Sequence, residues 1–233
     1  MRDYFIFGNI NALDYGLYAA NKNQFGGAGR RIEIIHIPGR NGTLGISDGT
    51  FENINITYEM YIKSQIKANI AGLRGALGSI SGYARLADSF EPDIFMKARY
   101  VEPFTVKGSD RKSAAIDISF DCDPRRFLKS GERAKTYTSA SQLKNPTRYE
   151  ALPLIRAYGI GTLTVSGTTI TITAANEYTD IDSEAEEAYK GTSSCNNNII
   201  LTNGEFPSLK EGLNEISFTG LSKVEITPRW WTR

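Results

Sequence analysis

At 233 residues, with 40% hydrophobic and 23% charged side chains, the chain has an ordinary globular composition and room for two domains. Its 27 Lys and Arg nearly cancel 26 Asp and Glu, so no net field draws it to nucleic acid or an anionic membrane. Two distant cysteines, Cys122 and Cys195, make no disulfide framework, and no apolar run suffices for a membrane helix.

The first residues, Met1 to Asn9, carry neither the apolar stretch nor the small-residue cleavage site of an export signal. Synthesis in a cytoplasm without a signal peptide is expected. Next come two glycine-rich basic stretches, Gln24–Arg31 and Pro38–Gly45, which bracket a short strand at Ile32–Ile37. Such composition predicts loops that a partner orders, and their cations Arg30, Arg31 and Arg40 are the candidate assembly-interface residues.

The dominant period is two. Ile54, Ile56, Tyr58, Met60 and Ile62 alternate with polar residues, as do Ile116, Ile118, Phe120 and Cys122, each marking a half-buried strand. One segment departs from this: Ile66, Ile70, Leu73 and Leu77 fall on one helical stripe, predicting a helix near 64–78. Ser64 is its expected N-cap and Gly78 its expected C′ residue. Gly72 and Gly75 weaken such a helix by about 1 kcal/mol each relative to Ala, so it needs tertiary support.

Residues 131–144 lack apolar periodicity and read as a linker, dividing an N-terminal β domain, 1–130, from a C-terminal β-sandwich, 145–233. Within the latter, Leu163, Val165, Ile170 and Ile172 flank Ser166-Gly167, a tight hairpin turn, with threonines on the opposite face. Short strands at Leu154–Tyr158, Ile199–Thr202, Leu213–Thr219 and Val224–Thr227 complete a sandwich or jelly roll. The fold class is mainly β with one amphipathic helix.

Candidate chemistry is sparse. His36 is the single histidine and stands among isoleucines, which leaves neither a zinc ligand set nor a nucleophile–histidine system. Gly26-Gly27-Ala28-Gly29 leads into a strand, where a phosphate cradle needs a helix N-terminus. Asp180, Asp182, Glu184, Glu186 and Glu187 do not fit a calcium loop and lack a second carboxylate group for glycosidase work. A solvated strand edge or turn is expected there. Trp230-Trp231 is the conspicuous aromatic pair and the candidate saccharide-binding site, although adjacent strand residues point to opposite faces, and one Trp in the core with the other at an interface is the preferred reading. No catalytic residue, metal site or cofactor is expected.

The order of several motifs resembles the distal tail proteins of long-tailed phages that infect Gram-positive bacteria. Phe5–Ala12 resembles the family's opening, and the strand at Phe51–Ile62 leads into the helix as the family's does. Phe120-Asp121-Cys122-Asp123-Pro124-Arg125-Arg126-Phe127 is similar to its domain junction, Asn145 to Leu163 to the start of its C-terminal domain, and Glu225 to Trp231 to its close. The resemblance implies a structural virion component at the tail tip with a ring-forming N-terminal domain and a galectin-like C-terminal sandwich. It implies a homo-oligomeric ring of six copies joining the tail tube protein to tail-tip and receptor-binding adsorption proteins. It implies no catalytic residues, no nucleic-acid specificity and no membrane.

The alternative is a carbohydrate-binding module of a cell-wall-targeting protein, with Tyr158, Tyr178, Tyr189, Trp230 and Trp231 as stacking platforms. That reading leaves the N-terminal domain without a role. A glycosidase is the third choice. Little or no saccharide affinity is expected of the C-terminal domain, since its Trp pair suits packing better than an open concavity.

Overall fold

The structure is a computed structural model describing residues 2–23, 26–109 and 113–233. It divides into two compact units, one running to Arg126 with Arg233, the other Phe127–Thr232.

The first unit carries ten strands in chain order among the described residues. These are β1 (Phe5–Phe7), β2 (Ile10–Asn11), β3 (Leu17–Lys22), β4 (Glu33–Ile35), β5 (Leu44–Ile46), β6 (Ile54–Ile62), β7 (Ala84–Asp88), β8 (Ile94–Arg99), β9 (Thr105–Ser109) and β10 (Ala114–Cys122). A helix, α1 (Ile66–Ser79), lies between β6 and β7. The sheet runs β2-β1-β7-β8-β10-β6-β3, with β9 beside the first half of β10.

Period two is realised as expected. The side chains of Ile54, Ile56, Tyr58, Met60 and Ile62 are at most 5% exposed, and those of Ile116, Ile118, Phe120 and Cys122 are fully buried. Phe5, Phe7, Tyr58 and Phe120 pack ring to ring in the middle of this core, with centroids 4.8–6.1 Å apart. Helix α1 lays Leu73 and Leu77 on the same core, each contributing about 2 kcal/mol by burial. Its ends differ from the expectation. Gln65 occupies the N-cap in a left-handed conformation without a side-chain cap, while the Ser64 carbonyl accepts from Asn69 Nδ2. Gly78 continues the helix to Ser79 instead of ending it. Gly72 presents its bare backbone to the Tyr15 ring, where a Cβ would stand 3.3 Å away.

The second unit is built on two long strands. Its elements are β11 (Arg126–Leu128, at the boundary), β12 (Lys135–Tyr137), β13 (Ser141–Asn145), β14 (Leu154–Val165), β15 (Thr168–Ile172), β16 (Tyr178–Asp182), β17 (Glu187–Lys190), β18 (Ser193–Ser194), β19 (Ile199–Leu201), β20 (Gly212–Thr227) and β21 (Trp231–Thr232). Strand β14 pairs β16 through its first half and β15 through its second, and β20 follows it along both. The β14–β20 register shifts around Gly159, and both halves of β14 bury alternate residues (Ile155, Ala157, Leu163, Val165) in one core. Bulged strands thus serve both layers of a sandwich. The β14–β15 turn is Ser166-Gly167, both at positive φ, and Thr164 and Thr169 pair their hydroxyls at 2.8 Å on the solvent face.

The stretch 131–144 is not a connector. It holds β12 and β13, which pair with β20, so the boundary falls at Arg126 and not at 130–145. Leu143 is the apolar side chain that β13 buries, and Asn145 is buried as a donor to the Tyr149 and Leu209 carbonyls. With so few apolar positions, such edge strands leave no periodic trace.

Candidate assembly interface

The chain between β3 and β6 forms an arm. Ala28, 7% exposed, ties its root to the core, and Gly29 and Glu52 close it by a backbone hydrogen bond of 3.0 Å. From there every residue from 29 to 50 is exposed. Strands β4 and β5 pair as an antiparallel hairpin (Glu33↔Ile46, Ile35↔Leu44) and join no other strand among the described residues. Part of the second expected loop is therefore a strand, while Gln24 and Phe25 of the first lie outside the described residues.

The arm exposes large apolar side chains among its charged ones. Ile32, Ile34 and Ile46 are 51%, 61% and 50% exposed, with Ile35, Ile37 and Leu44 close behind. A lone two-stranded hairpin is marginally stable in water, and a contiguous exposed apolar patch marks an interaction site. The candidate cations sit at both ends of this arm. The Arg30 guanidinium lies 5.5 Å from the Phe51 ring centroid at the root, and the Arg31 N–H donates to the Thr50 carbonyl. Arg40 stands at the tip, its N–H donating to the Ile37 carbonyl at 3.2 Å. The exposed His36 lies beside the tip. Near the root, hydrogen bonds from Thr50 hold the Asp48 carboxyl below its usual range.

A buried ionic cluster fixes the arm's root. Lys22 and Arg126 are each 3% exposed. Lys22 Nζ donates to Asp88 at 2.9 Å and to Glu91 at 2.5 Å; Arg126 donates to Glu91 at 2.7 and 2.8 Å and to the Gly26 carbonyl at 2.8 Å. Burial would raise the Asp88 carboxyl, but hydrogen bonds from Tyr58 and Lys22 outweigh it and hold that carboxyl low. Burial, then the Asp88 charge, pushes the Tyr58 hydroxyl well above its usual value. The paired side chains reach partners 30 to 100 residues away, and beyond Tyr58 in its strand and Arg126 in its motif no member carries a sequence signal, so sequence reading did not find the cluster.

In the second unit the acidic stretch divides: Glu186 and Glu187 are exposed at a turn, as expected, whereas Asp180 and Asp182 are not on a solvated edge. Asp180 and Asp182 are 4% and 8% exposed. Arg156 grips Asp180 at 2.7 and 2.9 Å, and Arg229 grips Asp182 at 2.6 and 2.8 Å. The arginines come from β14 and from the chain beyond β20, too far along the sequence to be linked by inspection. Among the described residues no group of three or more His, Cys, Asp or Glu could hold a metal.

Trp230 is 2% exposed and belongs to the core. Trp231 is half-buried, stacks on Tyr149 at 4.3 Å between centroids, and donates from Nε1 to the Glu150 carbonyl. Tyr158 and Tyr178 lie under cations, Lys223 at 4.0 Å and Arg156 at 4.2 Å from their ring centroids.

No family model matches the sequence, and no curated protein shows significant similarity to it. Solved structures do. One is the SPP1 Dit (gp 19.1) protein, described as a paradigm of hub adsorption apparatus in Gram-positive infecting phages. It superposes with a TM-score of 0.74 at 14% identity, over 97% of this chain and 98% of its own. Another is a chain of the phage p2 baseplate in its activated conformation with Sr, at TM-score 0.54 and 12% identity over 97% of both chains. Across nearly its whole length, this chain has the fold of the SPP1 Dit protein.

Proposed function

We propose that this chain is a structural hub component of a phage tail tip, assembling as a closed ring of six copies. In this reading the ring joins the tail tube to the adsorption apparatus, and the chain's task is to hold partners, with no catalysis. The observation that carries it is the whole-chain likeness to a hub protein, which spans both units in the same order. The arm supports it independently. Six large apolar side chains on one hairpin are stable in water only when something covers them, and further copies of the chain are the cover this reading supplies.

Light scattering on the purified chain tests the reading. The expected mass is a multiple of 25.7 kDa at micromolar concentration, falling to a single copy when Ile34→Ser and Leu44→Ser are combined. A chain that stays single at every concentration, alone and co-expressed with tail proteins, contradicts it.

A further inference from the structure

We propose that Asn41-Gly42, at the tip of the arm, is a self-modification site at which the native chain deamidates through a cyclic imide. The inference goes beyond the hub reading and does not depend on it. An asparagine followed by glycine carries both reactants: the glycine nitrogen, which attacks, and the side-chain amide carbon that it attacks. With no side chain on the glycine, nothing crowds that approach. The sequence has two such steps, Asn41-Gly42 and Asn203-Gly204, and one aspartate analogue, Asp48-Gly49. Their surroundings separate them.

At the arm tip, Pro38 and Gly39 occupy the turn that the Arg40 N–H closes on the Ile37 carbonyl. Asn41 and Gly42 follow it before β5, both exposed, and Gly42 has a φ of +82°. Among the described residues no hydrogen bond engages the Asn41 side chain or the Gly42 N–H. A Cβ built at Gly42 would meet nothing within 4 Å, so the step has room to rotate into its reactive geometry. Asp48-Gly49, at the arm root, has no such freedom. The Gly49 N–H donates to Ser47 Oγ at 3.2 Å, and Asp48 Oδ1 accepts from the Thr50 N–H and hydroxyl at 2.8 and 2.6 Å. Those Thr50 bonds keep the Asp48 carboxyl ionised, and a carboxylate is a poor electrophile. Asn203-Gly204 is exposed as well, but it lies inside a 3₁₀ turn, Thr202–Gly204, with Asn203 held at a φ of +68°.

The step balances with water alone. The Gly42 nitrogen gives up its proton and bonds to Asn41 Cγ, the Cγ–Nδ2 bond breaks, and ammonia leaves with that proton. Water then opens the ring at either carbonyl, which yields aspartate or its β-linked isomer. The product sets a new carboxylate beside Arg40, the cation at the tip, and the β-linked form adds a methylene to the backbone of the loop. The charge of the arm tip therefore falls as the protein ages.

Peptide mapping of the full chain, aged in mildly alkaline buffer made with heavy-oxygen water, tests this. In the native protein, conversion is expected about tenfold faster at Asn41 than at Asn203, and in denaturant at equal rates, because the fold no longer distinguishes them. Converted Asn41 should carry solvent oxygen, and a share of it should accept a methyl group from an isoaspartate-specific methyltransferase. Asn41→Gln should keep the circular dichroism of the parent and lose the acidic species that the parent accumulates. An Asn41 that stays amide in the native protein, or that converts no faster than Asn203, would overturn the proposal and leave the hub reading untouched.

Discussion

Arg126 closes on Glu91 with contacts of 2.7 and 2.8 Å while its second terminal nitrogen holds the Gly26 carbonyl at 2.8 Å, so one side chain binds the end of the first unit to the root of the arm. Removing the carboxylate takes the Glu91 ion pair from buried Arg126 and a carboxylate partner from Lys22. Glu91→Ala is expected to cost about 3 kcal/mol, and to speed hydrogen exchange at the arm root around Gly26–Ala28. Equal urea midpoints for variant and parent would rule this out.

Arg229 and Asp182 set an acid limit for the second unit. Burial works to raise the Asp182 carboxyl, but Arg229 outweighs it and holds the folded value below the ordinary 3.8. A carboxyl lower in the folded than in the unfolded chain stabilises the fold above the unfolded value. That stabilisation disappears as pH falls through the folded value. Both tryptophans lie in this unit, so their emission follows its unfolding. Urea stability is expected to fall below about pH 4. Asp182→Asn should lose about 2 kcal/mol at neutral pH and show a shallower acid dependence. An unchanged acid slope would refute the assignment.

Gly220 has a φ of +80°, and a Cβ there would stand 2.6 Å from the Ile160 carbonyl oxygen across the β14–β20 bulge. Gly220→Ala is therefore expected to cost about 2–3 kcal/mol, more than a glycine replaced on an open strand. Thermal unfolding followed by tryptophan emission checks it, and a neutral effect would mean the bulge can relax.

Cys122 is fully buried, and burial, followed by the Asp121 charge, pushes its thiol up to about 12. Cys195 is half-buried near the surface. One thiol per chain should react with a disulfide-exchange reagent at pH 8 in the native protein, and two in denaturant. Two rapidly reacting thiols in the native protein would show the first core to be open.

The elements most legible in the sequence were those whose burial repeats. Ile54–Ile62 and Ile116–Cys122 bury every second residue, and the Ser166-Gly167 turn needs a conformation that its residues signal. Less legible were β12 and β13, whose faces are mostly solvated and which are held by pairing with β20, β13 adding Leu143 and a hydrogen-bonded Asn145. The helix cap was misread because Gln65 adopts a left-handed backbone that no side-chain rule predicts. Of the arm, the cations and glycines stood out, whereas the apolar surface did not: Ile32 and Ile34 fall in an expected short strand, and only the fold shows that they and Ile46 are uncovered. The ion pairs Arg156–Asp180 and Arg229–Asp182 join segments distant in sequence, and only their pairing shows that the two aspartates of the acidic stretch are internal.

Electron micrographs of the purified chain, beside the Ile34→Ser, Leu44→Ser variant, test the central claim most directly. The account predicts closed six-fold rings for the unaltered chain and none for the variant, with both still folded by circular dichroism. Isolated single copies in every field of the unaltered chain, including samples co-expressed with tail proteins, would contradict it.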